Sequence, residues 1–196
     1  SLFERWIGAF ADEASELLAV QYRMHRDIMA FSNEWFYDGR LRASPMVAGH
    51  HMGQLSGFQI MQELHNEPEK SILDPSVALL FLDVPAGQEK QIAGSFSYYN
   101  PKEADAVLMT VQTLMGVRLF PEDLGVISPY DQQVKNLSQL LAGSGLEVKS
   151  IDGFQGREKE VVLISFVRAN PQGNLGFLSD YRRLNVALTR ARQFTE

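Results

Sequence analysis

Four arginines near the end of the chain are the first candidates for chemistry. Arg182, Arg183, Arg190 and Arg192 fall within eleven residues that contain no acidic side chain. Arg183 and Arg190 are seven residues apart, so on a continuous helix they would lie on nearly the same face. Guanidinium groups at that spacing can bind phosphate oxygens bidentately. The segment therefore predicts an anion site on a helix over residues 180–192, and the alternative is a solvated basic helix.

Three further segments place polar or aromatic residues directly after predicted strands. They are Gln21-Tyr22-Arg23-Met24-His25, Pro129-Tyr130 and Asp152-Gly153-Phe154-Gln155-Gly156-Arg157-Glu158. Ligands of open α/β sheets bind outside the carboxyl ends of the strands, so we expect all three segments at one edge of the sheet. The glycines of the last segment allow the backbone to approach a ligand closely. Taken alone, that segment is more typical of a glycine-rich turn with a solvated Arg-Glu pair.

Other patterns are weaker. Glu147 and Lys149, with Glu122-Asp123 upstream, resemble the acidic pair and lysine of metal-dependent nucleases. Asp12-Glu13 resembles a Mg²⁺-holding pair, but the run before it is a poor strand. The four histidines have no metal-ligand spacing, so no residue is assigned to a metal. The dipeptide Gly-Lys never occurs, so this sequence contains no phosphate-binding P-loop.

Short apolar runs and amphipathic stretches alternate along the chain and must position these residues. Buried strands are predicted at Leu17–Val20, Val77–Val84, Gly125–Ser128, Leu146–Ile151 and Val161–Val167. Helices are predicted on the stripe Met24, Ile28, Phe31 and Trp35, from the start signal Asn100-Pro101-Lys102-Glu103 to Met115, and over Val134–Leu141. This alternation predicts an α/β fold, a mostly parallel sheet with helices on both faces.

The composition is that of one globular domain, with 196 residues, 45% hydrophobic and 21% charged. We expect a single domain over residues 1–196, with an irregular excursion at residues 43–76 and a polar connection at residues 85–99. The absence of cysteine excludes a disulfide framework, a cysteine zinc site and a thiol nucleophile. No apolar run is long enough to span a membrane, so we expect no membrane partner and a cytoplasmic location, or a nuclear one in a eukaryote.

The net charge of −6 by itself argues against a nucleic-acid partner, but the charge is unevenly distributed. Residues 1–144 hold 10 basic and 18 acidic side chains, whereas residues 145–196 hold 8 and 6. The positive excess therefore coincides with the arginine-rich segment.

In this order, the candidate segments resemble the motifs of superfamily 1 helicases of the 5′-to-3′ branch. That group includes the nonsense-mediated decay helicase and the immunoglobulin mu-binding protein helicase. The resemblance lies in residues 1–5, Val20–His25, Ser128–Tyr130, Lys149–Glu160, Val167–Asn170, Gly176–Leu178 and Arg182–Arg192. It covers nearly the whole chain, and Arg26 stands where the family usually has proline.

The resemblance implies the second of two RecA-like (P-loop NTPase-type) motor domains, which in this family clamp ATP between them. The first domain supplies the P-loop and the ligands of Mg²⁺. The second supplies arginines and part of the track for single-stranded DNA or RNA. This chain would then work with a first RecA-like domain of the same protein and would not hydrolyse ATP alone. We also expect the sheet to continue past Glu196.

Residue by residue, the resemblance implies three groups. Arg23 and Arg190 would be catalytic, as arginine fingers that reach the γ-phosphate. Nucleotide binding falls to Gln21, Tyr22, Gly156, Glu158 and Arg183, with Tyr22 against the adenine. Contacts with nucleic acid fall to Ser128, Tyr130 and Ser150. Two alternatives stay open: a non-catalytic nucleic-acid or protein-binding module derived from such a domain, and a metal-dependent nuclease that uses Glu147 and Lys149.

Overall fold

The computed structural model describes residues 5–6, 8–10, 16–55 and 72–195. Three features named above lie wholly or partly outside the described residues: the match at residues 1–5, the pair Asp12-Glu13 and the middle of the irregular excursion, residues 56–71. Within the described residues, no helix is both long and apolar enough to cross a bilayer.

The regular elements alternate along the chain much as the sequence pattern predicts. The strands are β1 (Val20–Gln21), β2 (Arg42–Ala43), β3 (Lys90–Gln91), β4 (Tyr98–Tyr99), β5 (Leu124–Ser128), β6 (Glu147–Ser150), β7 (Lys159–Ile164) and β8 (Ala191–Thr195). The α-helices whose bounds lie within the described residues are α1 (Arg26–Phe36), α2 (Pro101–Gly116), α3 (Asp131–Leu140) and α4 (Tyr181–Leu188).

The main sheet has the strand order β6-β5-β7-β8, and each neighbouring pair is parallel. Separately, β1 and β2 form a short parallel pair, and β3 and β4 form an antiparallel hairpin. One core cluster joins the sheet to α2 and α3; its central members are Val111, Leu114, Val126, Leu137 and Leu163. The other joins it to α1 and α4; its central members are Ile28, Ile127, Phe154, Val162 and Ala187. The predicted α/β fold with helices on both faces is confirmed.

Local signals start two helices, and α2 starts where the sequence predicts. The Asn100 side chain accepts the amide of Glu103 at 3.3 Å, and Pro101 is the first residue of α2. His25 Nδ1 accepts a backbone amide at 3.1 Å at the start of α1. Arg26 donates its own amide hydrogen to Ala48 O at 3.5 Å. Proline, which the family usually has at this position, could not make that bond.

Two of the predicted strands are wrong. Only the last residue of Leu17–Val20 belongs to a strand, outside the main sheet, and Leu18 is 85% exposed. Val77–Val84 contains one isolated bridge residue, Leu79, and both Leu79 and Phe81 are exposed. The apolar residues of Val77–Val84 are of the types found in a buried strand. The segment is nevertheless hydrogen-bonded to a neighbouring strand only at Leu79, because apolar composition does not determine strand pairing.

The helix predicted over residues 180–192 is wrong at its end. The helix α4 stops at Leu188, where Thr189 Oγ1 hydrogen-bonds back to the last turn at 2.8 Å, and the chain continues as β8. Because Arg190 lies beyond the helix, it shares no helix face with Arg183.

The predicted inward stripe of α1 is buried only in part. Ile28 is 1% exposed, whereas Trp35 is 61% exposed. The Trp35 ring lies 6.1 Å from the ring of Tyr181 in α4. It therefore covers the outer side of the contact between α1 and α4 instead of entering the core.

Candidate functional site

The connection from β6 to β7 decides which candidate residues can meet. Because β6 and β7 run parallel, residues 151–158 must return from the carboxyl end of β6 to the amino end of β7, past β5, which lies between them. Phe154 is fully buried midway and packs against Gly125 of β5. Asp152 therefore lies at the carboxyl end of the sheet and Glu158 at the amino end. The expectation of one shared edge is wrong, since the candidates form two groups at opposite ends.

Glu158 is the centre of the group at the amino end. Its Oε2 accepts a hydrogen bond from Nε of Arg23 at 2.5 Å, and its Oε1 accepts one from Arg192. Arg192 also donates to Glu160 at 2.9 Å. The hydrogen bond from Arg192, and after it the bond from Arg23, lower the pKa of Glu158 although burial opposes them. The carboxylate is therefore charged at neutral pH.

Arg190 joins this group from the turn between α4 and β8. Its Nε donates to Val186 O at 2.8 Å and its Nη2 to Thr189 Oγ1 at 3.0 Å. Burial and then the charge of Arg23 lower the pKa of Arg190, and Glu158 raises it. Arg23 and Arg190 are thus two cations close enough to repel each other, and an anion between them would relieve that repulsion.

The loop after β1 is held in shape by Gln21. Its Oε1 accepts the amides of Arg23 and Met24 at 2.8 and 2.9 Å, and its Nε2 donates to Met24 O at 2.7 Å. These bonds fix the direction of the Arg23 backbone and leave the ring of Tyr22 70% exposed. In this arrangement Gln21 shapes the loop, and Tyr22 presents an open ring.

A cleft of about 590 Å³ lies between this loop and the amino end of β7, lined by Tyr22, Arg23, His50, Glu158, Glu160 and Arg192 among others. The sequence reasoning missed Glu160 and His50. Glu160 has a usable signal, because it follows Glu158 by two residues and β periodicity places the pair on one side. No comparable pattern in the sequence marks His50 as a cleft residue.

The residues in and beside the cleft fit a nucleoside triphosphate. The Tyr22 ring offers a surface for a base, and the guanidinium groups of Arg23 and Arg190 offer fixed donors for phosphate oxygens. Gly156, with φ of +81°, has nothing within 4 Å of the place where a Cβ would lie, so a ligand can approach its backbone. The described residues contain no group of three or more acidic or histidine side chains able to hold a metal ion.

The residues expected to contact nucleic acid lie at the opposite, carboxyl end. Ser128 is fully buried, and its Oγ accepts the amide of Tyr130 at 3.4 Å. Tyr130 is 7% exposed, and its hydroxyl lies within hydrogen-bond distance of Phe177 N and Arg168 Nη1. Ser150 Oγ accepts a backbone amide at 3.1 Å. These side chains make internal contacts, and their direct contact with a strand stays a prediction.

Arg183 lies with the carboxyl-end residues by its contacts. Its guanidinium carbon is 3.8 Å from the ring centroid of Phe177, and its Nη2 is 3.8 Å from the Asp152 carboxylate. Its Nη1 is buried without a hydrogen-bond partner. None of these contacts joins Arg183 to Arg23 or Arg190, and its role in nucleotide binding stays a prediction.

Glu89 and Arg168, to which the sequence reasoning gave no role, brace the carboxyl end. Arg168 donates to both carboxylate oxygens of Glu89, at 2.7 and 3.2 Å, and the two side chains are only 7% and 13% exposed. The guanidinium also lies 4.6 Å above the ring of Tyr98. Gly176, with φ of +53°, packs so closely on Arg168 that any Cβ would overlap it.

Glu103 fixes the backbone that follows β7. Its carboxylate accepts the amides of Phe166 and Val167 at 2.8 and 2.6 Å, and Val167 has φ of +73°. Burial raises the pKa of Glu103 although these hydrogen bonds oppose it. The glutamate at the third position of α2 therefore reaches across to the neighbouring strand end.

The nuclease-like residues lie on the edge strand β6. Glu147 forms an ion pair with Arg157, and Lys149 lines the same groove. The described residues gather no acidic cluster around them. The geometry of this part of the chain gives the nuclease alternative no support.

Comparison with known proteins places the chain in a family. A family model described as "AAA domain" matches residues 1–195. DNA-binding protein SMUBP-2 of Mesocricetus auratus is 42% identical over 195 residues, which cover 98% of this chain and 19% of that protein. An uncharacterized ATP-dependent helicase of Methanocaldococcus jannaschii is 40% identical over 195 residues, covering 98% of this chain and 28% of that protein.

A third relative is the DNA replication ATP-dependent helicase/nuclease DNA2 of Xenopus tropicalis. It is 38% identical over 194 residues, which cover 92% of this chain and 18% of that protein. The chain thus spans 18 to 28% of the length of these three relatives. The family match over residues 1–195, the relatives and the parallel α/β fold agree, and the chain belongs to the superfamily 1 helicase group as a RecA-like domain.

Proposed function

We propose that this chain is the second motor domain of an ATP-dependent DNA or RNA helicase. In this role it supplies two arginine fingers and part of a single-strand track. The first motor domain of the same protein supplies the P-loop and the ligands of Mg²⁺. The site of action is the cytoplasm or, in a eukaryote, the nucleus.

The observation that carries the proposal is the convergence of Arg23 and Arg190. They are far apart in the sequence, yet Arg23 Nη1 and Arg190 Nη2 both donate hydrogen bonds to Thr189, at 3.4 and 3.0 Å, and the charge of Arg23, after burial, lowers the pKa of Arg190. A protein keeps two mutually repelling guanidinium groups at one cleft most readily when an anion binds there. The triphosphate of ATP, held by the other domain, is such an anion.

In the proposed mechanism the residues in and beside the cleft have different roles. Tyr22 lies against the adenine, and Gln21 holds the loop that aims Arg23. Glu158 orients Arg23 and Arg192 through its two oxygens. Bound ATP supplies the γ-phosphoryl group, on which negative charge spreads during transfer. Arg23 and Arg190 neutralise that charge, an effect worth about 10³–10⁵ in rate in related NTPases.

The segment of residues 151–158 is suited to couple this cleft to the strand track. It follows Ser150, at the carboxyl end, and ends at Glu158, in the cleft, with Phe154 buried in the core between them. The segment therefore joins the two groups of residues directly along the chain. We propose that strand binding at the carboxyl end adjusts Glu158, and through it Arg23.

The test is the substitution Arg190→Ala in the full-length protein, with nucleotide binding and turnover measured separately. We expect steady-state ATP hydrolysis to fall about 10³-fold or more, while the Kd for a fluorescent ATP analogue changes little. Arg182→Ala is the matched control, because Arg182 is on α4 and pairs with Asp180 at the surface.

Two results would contradict the proposal. Undiminished ATP hydrolysis by the Arg190→Ala variant would show that Arg190 is not an arginine finger. Absence of nucleic-acid-stimulated hydrolysis by the wild-type protein would favour the non-catalytic binding module instead.

A further inference from the structure

The hairpin of β3 and β4 carries the most exposed large apolar residue among those described. Phe96 is 97% exposed. It lies in the loop of residues 92–97, within the stretch where the sequence predicts only a polar connection. At that exposure nearly the whole ring is accessible to a ligand.

The loop that presents Phe96 is held by specific hydrogen bonds. Ser95 N donates to Ile92 O at 2.9 Å across a turn in which Gly94 has φ of +80°, and Gln91 Nε2 donates to Ser95 O at 2.7 Å. Ser97 N donates to Ser95 Oγ at 3.1 Å. The ring is therefore displayed on an ordered support, which lowers the entropy lost when a ligand binds.

The hairpin is attached directly to the carboxyl end of the sheet. Ser97 Oγ accepts the amide of Gln132 at 3.1 Å, in the first turn of α3. The Tyr98 ring lies 5.8 Å from the ring of Tyr130, edge to face. Lys90 in β3 is paired in register with Tyr99. Phe96 thus stands beside Ser128 and Tyr130 but, unlike them, faces the solvent.

The surroundings of Phe96 fit a nucleic-acid base better than a protein surface. Apart from Ile92, which is 46% exposed, the loop residues around it are small or polar, so the ring does not belong to a broad apolar patch of the kind that proteins bury against each other. Residues 90–102 contain two lysines and no acidic residue, and the flanking Glu89 and Glu103 are held by Arg168 and by backbone amides. An exposed aromatic ring on a segment that carries lysines is suited to single strands, by stacking and by attraction to phosphates.

We propose that Phe96 is a stacking platform for one base of a single-stranded nucleic acid that crosses the carboxyl end of the sheet. The platform rests on the proposed function, because it deepens the strand track assigned there. It gives that track a solvent-facing contact that the buried Ser128 and Tyr130 do not provide in this arrangement. Stacking uses the face of the ring, so it favours no particular base.

The experiment titrates a fluorescein-labelled oligo(dT) of 15 nucleotides, and the matching oligo(rU), with the full-length protein at several salt concentrations. Removing one base–aromatic stack weakens binding by about 5- to 150-fold, so Phe96→Ala should raise the Kd by that factor. The slope of log Kd against log salt should be unchanged, because the ring neutralises no phosphate. Phe96→Trp should bind as tightly as the wild type.

Phe120→Ala is the matched control, because Phe120 is a 50% exposed phenylalanine just before the amino end of β5. We expect its Kd to equal that of the wild type. A Kd of Phe96→Ala equal to that of the wild type, or an equal loss in Phe120→Ala, would overturn the platform and leave the proposed function standing. Absence of binding to both oligonucleotides by the wild-type full-length protein would contradict the strand track itself, and the platform with it.

Discussion

At the residue scale, the two ends of the main sheet differ in how their charged side chains are paired. At the amino end, Glu158 is shared between Arg23 and Arg192, and positive charge remains available at the cleft. At the carboxyl end, Glu89 and Arg168 satisfy each other almost completely out of solvent. The first arrangement suits binding of an anion, and the second suits rigid support of the surface above it.

The support can be tested by Glu89→Ala, which leaves Arg168 buried without its carboxylate. Breaking one partner of a buried ion pair costs about 3–5 kcal/mol, so the free energy of unfolding should fall by roughly 3 kcal/mol. Asp105→Ala is the control, since its pair with Lys102 is exposed on both sides and should change stability by less than about 1 kcal/mol. Urea denaturation measures both. Equal effects of the two substitutions would show that the Glu89 pair carries no special support.

His25 should make stability depend on pH. Its Nδ1 must be unprotonated to accept the amide of Asp27, and burial, followed by nearby cations, lowers the pKa of His25 against the opposing charge of Asp27. Below the ordinary value of 6.5, the unfolded chain therefore takes up the proton more readily than the folded one. The stabilisation is complete above that pH and is lost as the pH falls below it.

The variant His25→Asn separates the cap from the titration. Asparagine also accepts the amide at a helix start, so stability at pH 8 should stay within about 1 kcal/mol of the wild type. The loss between pH 7 and pH 5 should shrink, as measured by thermal unfolding, whereas His50→Asn should leave it in place. A pH dependence that is unchanged in His25→Asn would show that the imidazole of His25 is not its source.

At the element scale, the crossing of residues 151–158 beneath β5 depends on one glycine. A Cβ on Gly125 would lie 2.7 Å from Phe154 Cζ and 3.0 Å from Lys159 Cγ. Overpacking of this kind costs about 1–3 kcal/mol, so Gly125→Ala should lower the free energy of unfolding by that amount. In Gly116→Ala nothing lies within 4 Å of the added atom, and stability should hold or rise slightly. A Gly125→Ala protein as stable as the wild type would show that Phe154 is not clamped there.

The elements that the sequence predicts well are those whose signals are local. Asn100 and Pro101 mark the start of α2, and the apolar runs of β5 and β7 are buried on both faces. The strand prediction for Val77–Val84 is wrong because strand pairing depends on two segments, and the sequence of one segment does not identify its partner. The predicted end of α4 is wrong because the Thr189 side chain ends the helix and the following residues pair with β7, although the apolar stripe continues.

At the scale of the whole molecule, the direction of the strands divides the candidate residues between two ends. The types of the cleft residues can be read from the sequence, but their division follows from the parallel direction of β6 and β7, which residues 151–158 connect, whereas the sequence pattern predicts that whole connection at one edge. The end of α4 at Leu188 separates Arg183 from Arg190. The net charge of −6 is compatible with the proposed anion site, because several of the arginines lie together at the amino end of the sheet.

The most direct test of the two-finger account is a double-mutant cycle on the full-length protein, with single-turnover release of the γ-phosphate as the measurement. The account predicts that Arg23→Ala and Arg190→Ala each slow release by about 10³-fold or more, at nearly unchanged ATP affinity. Because both arginines act on the same charge in one transition state, the double variant should be much less impaired than the product of the two single effects. Release at the wild-type rate by either single variant would contradict the account.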